Sequence, residues 1–387
     1  MKTATVSLLR CDTYAPEALD AALRASLANI GFDPASFSGK RIAVKPNLLI
    51  PAAADRAITT HPEFFRAAVR LIKASGGTPV LIESPSIHSL ERTLKKTDFG
   101  RIVAEENVEV ADVEKTGTLV YEAGRKFKRI EICEAFFGCD MIVNLPKFKT
   151  HGLTYITAAV KNLFGAIPGL GKSKMHVKLP GPNEFCDFLM DLYGALHEGF
   201  GKPMEIIHLM DAILAMEGEG PGTAGTAAPM NAVLASMDAV ALDWVAVTAA
   251  GLDPKKAYTV VKGFERGFGA RSPEEIEIVG AKMADLGGKP LSPSRGSFMS
   301  NMVRWPFTSK RFKNLSIDRP LPREGICTLC YQCMKICPGG AISKAAEGAK
   351  RPTYDYDKCI RCYCCMEVCP EAAIEKKRGA LQWLFRL

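Results

Sequence analysis

The chain has 387 residues, 47% hydrophobic and 24% charged, with 50 lysines and arginines against 42 acidic side chains and a formal net charge of +8. This is length enough for two domains with ordinary cores, and no run of 18 apolar residues exists to span a membrane. The basic excess is modest and comes without a recognisable nucleic-acid-binding module, and the N-terminus lacks the apolar segment of a signal peptide, which points to the cytoplasm.

Short apolar runs alternate with amphipathic stretches over residues 1–290. Thr5-Val6-Ser7-Leu8-Leu9 reads as a strand, Ala15 to Ile30 as a helix, and Arg41-Ile42-Ala43-Val44-Lys45 as a second strand stopped by Pro46. Phe64 to Ala74 is a helix closing at Gly76-Gly77. Further strands are read at Pro79-Val80-Leu81-Ile82-Glu83 and Met141-Ile142-Val143-Asn144-Leu145. The alternation predicts an α/β domain with a largely parallel sheet. Ligands of such sheets bind beyond the carboxyl ends of the strands.

The polar residues following those strands share a character. The second strand runs into Lys45-Pro46-Asn47, and the strand ending at Leu145 runs into Pro146-Lys147-Phe148-Lys149-Thr150-His151. A helix carrying Thr157, Lys161 and Asn162 is expected next, its first N–H groups free to receive an anion. Each lysine alone reads as a solvated side chain. Together they predict a cationic pocket for a carboxylate or phosphate, bound by Lys45, Asn47, Lys149, Lys161 and Asn162, with Lys147 or His151 moving protons. The segment from Asp211 to Gly225 reads as a glycine-rich loop. Its Glu217 and Glu219 can pair with the lysines, bind a divalent cation or move a proton, or stay solvated. Asp238 and Asp243 flank Ala239-Val240-Ala241-Leu242 and read as helix-start or buried acids.

Thirteen cysteines divide unequally. Cys11, Cys133, Cys139 and Cys186 are scattered among apolar neighbours and read as buried thiols. The other nine lie between Cys327 and Cys369, where two runs repeat one spacing: Cys327, Cys330, Cys333 and Cys337-Pro338, then Cys359, Cys362, Cys365 and Cys369-Pro370. Three cysteines at intervals of three wrap a cubane, and the fourth ligates the other cluster. The spacing therefore predicts two [4Fe–4S] clusters, one on Cys327, Cys330, Cys333 and Cys369, the other on Cys359, Cys362, Cys365 and Cys337. A zinc site needs two separated pairs, and disulfides are disfavoured in the cytoplasm. Cys364 fits neither register and is read as a non-ligand.

These motifs together resemble one family. The set is Lys-Pro-Asn at 45–47, Leu-Pro-Lys-Phe-Lys-Thr-His at 145–151, Lys-Asn-Leu-Phe-Gly at 161–165, Glu-Gly-Glu-Gly-Pro at 217–221 and Asp-Ala-Val-Ala-Leu-Asp at 238–243. The chain is similar to members of the family called domain of unknown function three-six-two, described as iron–sulfur centre proteins and often followed by a ferredoxin-type module. The resemblance implies the architecture rather than a reaction.

The domain plan is thus an α/β domain over 1–290, a basic connector over 291–324 with Trp305, Phe307 and Phe312 to pin it, a small α+β two-cluster ferredoxin-like domain over 325–375, and a basic-aromatic tail over 376–387. The leading function is an oxidoreductase that takes electrons from a soluble donor and acts on an anionic small molecule. The alternatives are a non-catalytic electron carrier docking to an acidic partner, and a transferase or hydrolase with structural clusters.

Overall fold

The computed structural model describes residues 4–169, 171–179, 181–294, 314 and 318–378. Ten strands form one mixed, mostly parallel sheet: β1 Ala4–Arg10, β2 Arg41–Pro46, β3 Thr78–Leu81, β4 Glu109–Val110, β5 Met141–Leu145, β6 Lys147–His151, β7 Tyr155–Thr157, β8 Glu205–Gly218, β9 Gly225–Ser236 and β10 Ile276–Gly280. The order is β10-β1-β9-β8-β5-β2-β3-β4, with β6 on β8 and β7 on β6. The pairs β1/β9, β8/β9 and β6/β7 are antiparallel, and the others are parallel.

The elements follow from local sequence. Helix Pro16–Asn29 starts on a proline at its first position and buries Leu19, Leu23 and Leu27, one residue per turn on one face. Helix Pro62–Ala74 does the same with Phe64, Phe65, Ala68, Leu71 and Ile72. Asp238 caps helix Ala239–Ala249 by accepting from the Val240 and Ala241 amides at 2.8 and 3.0 Å. The central strands β2 and β5 are buried on both faces, as parallel strands flanked by helices are.

Two local expectations differ. Thr157, expected on a helix, ends strand β7, which pairs with strand β6 over Lys147–His151, and the α-helix is confined to Ala159–Asn162. The register pairs Asp211 with Lys147, which extends the neighbouring strand through the acidic segment and leaves only a short loop after Gly218.

The C-terminal module is separate and small. Arg319–Pro322 pairs antiparallel with Ile374–Lys377, and Ile342–Ser343 with Thr353–Tyr354. The first pairing draws residues read as connector and tail into the module. Residues 295–313, 315–317 and 379–387, including Trp305, Phe307 and Phe312, lie outside the described residues. Among the described residues no helix is long and apolar enough to cross a membrane.

Candidate functional site

The cysteine runs carry their repeat into the backbone. Leu329 and Tyr331 in the first run, and Arg361 and Tyr363 in the second, all adopt positive φ, between 54° and 61°. Non-glycine residues rarely do so, and the same two positions do it in both halves, curling each loop around its cysteines. Cys337 Sγ accepts from the Ala341 amide at 3.3 Å, and Cys369 Sγ from the Ala373 amide at 3.3 Å. All eight motif cysteines are free. Cys327, Cys330, Cys333 and Cys369 line one cavity of about 340 Å³. Among the described residues no three His, Cys, Asp or Glu side chains converge tightly enough to hold a single ion. A cavity ringed by thiols, with amides aimed at sulfur, fits a cluster rather than one metal.

The module sits on the α/β domain. Cys362, Cys364, Ile336 and Val368 pack against Ile50, Ala57, Ile58 and Met216. Lys376 Nζ reaches Glu219 at 2.8 Å and Ser294 Oγ at 2.7 Å, and Thr223 donates its hydroxyl to the Cys369 carbonyl. Gly222 is required here, since a β-carbon on it would run into the backbone of Glu367. The glycine-rich loop is thus a seat for the module.

Beside that seat lies a cleft of about 460 Å³, lined by Asn47, Glu83, Lys149, Thr157, Lys161, Asn162, Gly165, Lys172 and, from the module, Glu367. Strand register explains its polar floor. Lys45 and Asn144 are paired at the carboxyl ends of β2 and β5, where the sheet offers its ligand-binding edge. Lys149 donates to Asn47 Oδ1 at 2.9 Å and the Ile58 carbonyl at 2.7 Å. Asn47 in turn donates to Asn162 Oδ1 at 2.8 Å, and Asn162 to Asn144 Oδ1 at 2.7 Å. Lys172 donates to the Ser84 carbonyl, and to that of Pro85 at 3.2 Å. Lys161 holds its ammonium 5.5 and 5.7 Å from the Phe164 and Phe185 ring centroids. Burial pulls Lys149 down to about 7 and Lys172 to about 8, and lowers Lys161 as well.

The expected site residues therefore divide. Asn47, Lys149, Lys161 and Asn162 meet at the cleft. Lys45 lies behind it in a buried ion pair with Glu83. Lys147 is fully buried on Asp211, 2.8 Å away, and donates to Tyr14 Oη at 2.9 Å. The same carboxylate accepts from Tyr14 and from the His61 amide, both at 2.8 Å. With its ammonium so held, Lys147 does not line the cleft. His151 Nδ1 accepts from the Leu153 amide at 2.9 Å, and its Nε2 stops 3.5 Å from Glu367, short of a well-formed hydrogen bond. Burial, then Lys161, holds this imidazole well below its ordinary range, so it is neutral at pH 7 and carries its proton on Nε2. Glu217 accepts from the Ser292 amide at 2.7 Å, and Glu219 clasps Lys376, so both belong to the seat rather than the cleft. The amides expected to receive an anion are taken: Asp243 accepts from Ala159 at 2.6 Å and from Val160 at 3.2 Å. Asp243 thereby fixes the turn that presents Lys161 and Asn162.

Glu83, Lys172 and Glu367 were not anticipated. Glu83 ends a recognised strand and was legible by the rule that exposed Lys45 and Lys147. Glu367 was legible by comparing repeats, since the position equivalent to Lys335 in the first run holds an acid in the second. For Lys172 we find no sequence signal.

A family model described as domain of unknown function (DUF362) matches residues 42–248, and one described as 4Fe-4S dicluster domain matches residues 326–373. A thylakoid-associated protein of Synechocystis sp. is 30% identical over 253 residues, which is 65% of this chain and 75% of that protein. Among solved structures, a Thermotoga maritima protein is 14% identical at a TM-score of 0.34, over 54% of this chain and 53% of its own. The lactate racemase apoprotein from Thermoanaerobacterium thermosaccharolyticum is 12% identical at 0.35, over 62% and 55%. This chain spans little more than half of either structure.

Proposed function

The chain belongs to the DUF362 family, and we propose that it is an iron–sulfur oxidoreductase that moves electrons through two [4Fe–4S] clusters and acts on an anionic small molecule held in the cleft. The observation that carries this reading is the position of Glu367. It lines the same cleft as Lys149 and Lys161 while standing two residues from both Cys365 and Cys369. The wall of the cationic cleft is thus a cysteine loop.

In this reading Cys327, Cys330, Cys333 and Cys369 hold one cluster, and Cys359, Cys362, Cys365 and Cys337 the other; such clusters supply one-electron transfer when bound. Lys149, Lys161 and Lys172 bind and orient the anion, with Asn47 and Asn162 fixing Lys149. His151, neutral and bearing its proton on Nε2 at the edge of the module, stands outside the cleft lining and is kept as a hydrogen-bond donor toward Glu367 rather than a proton source. Lys147 is no proton source either, because its ammonium is already spent on Asp211 and Tyr14. A pure carrier selecting an acidic partner protein would present its cations on the surface, whereas Lys149 has no exposed area. We place the protein in the cytoplasm, where Cys11, Cys133, Cys139 and Cys186 stay reduced as found, with a soluble electron donor as its partner.

The test is anaerobic. Dithionite-reduced protein is mixed with fractionated small anions from a cell extract, and cluster absorbance is followed. One fraction should reoxidise the wild type, and Lys161→Gln should lose that response with its iron content unchanged. Reoxidation by no fraction, or by the same fraction at the same rate in Lys161→Gln, would remove the oxidoreductase reading.

A further inference from the structure

Charge in the cleft is out of balance. Lys45, Lys149, Lys161 and Lys172 stand there or directly behind it, against two carboxylates, Glu83 and Glu367. Glu83 is already consumed by Lys45. Among the described residues Lys149 and Lys172 hydrogen-bond only neutral oxygens, and the Lys161 ammonium stands over the two phenyl rings with Glu367 as the carboxylate that acts on it. With all four lysines protonated, and even with Glu367 counted as fully ionised, two positive charges are left over. Recessed charges without partners are costly, and a site that retains two of them is shaped for a counter-charge of two.

A second, independent feature points the same way. The Thr157 side chain lines the cleft, is 4% exposed, and its Oγ1 has no hydrogen-bond partner. Buried hydroxyls are ordinarily paired. A hydroxyl left open at the end of strand β7, beside Lys149 and Lys161, is a donor waiting for an acceptor oxygen.

We infer that the cleft binds a small dianion, a phosphate monoester or a short dicarboxylate, with Lys161 and Lys149 neutralising it and Thr157 Oγ1 donating to one of its oxygens. Lys172 covers the side toward Glu83. The depressed state of the lysines agrees with this, because an arriving dianion stabilises the ammonium forms that lost their hydration on burial. The inference rests on the functional reading above only for the cleft's purpose; the binding chemistry stands on the geometry.

The experiment is calorimetric titration of anaerobically prepared holoprotein with three probes: inorganic phosphate, malonate and acetate. At least one dianion should bind roughly tenfold or more tightly than acetate, and Lys161→Gln should weaken it by roughly tenfold or more, as loss of a charge-assisted hydrogen bond implies. Thr157→Val, which keeps the shape and removes the hydroxyl, should weaken it by about threefold to tenfold. Lys115→Gln, at an exposed residue outside the cleft lining, should change nothing. Phosphate binding without malonate binding identifies a phosphoryl ligand, and the reverse a dicarboxylate; either supports the inference. Acetate binding as tightly as both dianions, dianion binding indifferent to both Lys161→Gln and Thr157→Val, or no binding of either dianion, overturns it. Failure here is separable from failure of the oxidoreductase reading. Monoanions that reoxidise the clusters would sink the dianion and keep the enzyme, whereas tight dianions with clusters that nothing reoxidises would do the opposite.

Discussion

Strand β6 carries two lysines two residues apart on one face, and they meet opposite fates. Lys147 is closed off by Asp211, Tyr14 and the backbone of β8, with every charge answered inside the protein. Lys149 is equally buried but is answered only by an amide oxygen and a carbonyl. The first region behaves as structure and the second as a receptor. What separates them is the neighbouring strand, which puts an aspartate opposite Lys147, while Lys149 faces the seat of the C-terminal module. Burial alone does not mark a functional lysine; burial without a counter-charge does.

The largest effect expected from breaking this contrast is at the closed pair. Asp211→Asn should cost about 3–5 kcal/mol of unfolding free energy, because it leaves the Lys147 ammonium buried and unanswered. Lys161→Gln should cost under about 1 kcal/mol, or stabilise slightly, since it removes an uncompensated charge. Denaturant unfolding of the two variants under anaerobic conditions measures both, and similar losses would erase the distinction.

Next in size is the seat. Gly222→Ala should push the Glu367 backbone away from the loop and cost about 1–3 kcal/mol, with faster amide exchange over residues 364–368 than in wild type. Unchanged exchange there would show that the module does not depend on this contact. Asp243→Asn sharpens the same point at the other wall. It replaces one of two accepting oxygens by a donor facing an N–H, and should cost about 1–3 kcal/mol while weakening dianion binding through the displaced Lys161.

The smallest effect is the pH dependence of the cleft. Lys149 near 7 and Lys172 near 8 are lowered first by burial. Lys161 and Lys147 press Lys149 further down, Glu367 and Glu83 oppose, and Lys45 and Lys161 act likewise on Lys172 against Glu83 and Cys133. Both are ammonium ions below those values and neutral amines above. Affinity for malonate, whose own charge is steady from pH 7 to pH 9, should therefore fall by roughly tenfold across that interval. Affinity that holds or rises over this interval would contradict those charge states.

Much of this was readable in the chain, but unevenly. The parallel sheet follows from apolar runs spaced by helical stretches, and strands β2 and β5 stand where Arg41–Lys45 and Met141–Leu145 were read. Lys149 and Asn162 were found because they belong to the polar residues gathered beyond the carboxyl ends of the strands. Which lysine would be neutralised was not readable, since Asp211 lies 64 residues from Lys147 and only strand register brings them together. The Lys147–His151 segment was read only as the polar stretch that follows a strand; it is itself strand β6, buried throughout because it pairs with β8 and β7. The anion-binding amides at Ala159 and Val160 failed for a similar reason, an acid 83 to 84 residues distant having taken them.

The most direct test of the link between cleft and cysteine module is EPR of dithionite-reduced, anaerobically purified protein, with iron and sulfide counted, in the presence and absence of a saturating dianion. The account predicts about eight irons per chain, and a signal whose shape changes with the dianion in the wild type but not in Lys161→Gln. Four irons or fewer in fully reconstituted protein, or a spectrum indifferent to a dianion shown by calorimetry to be bound, would contradict it.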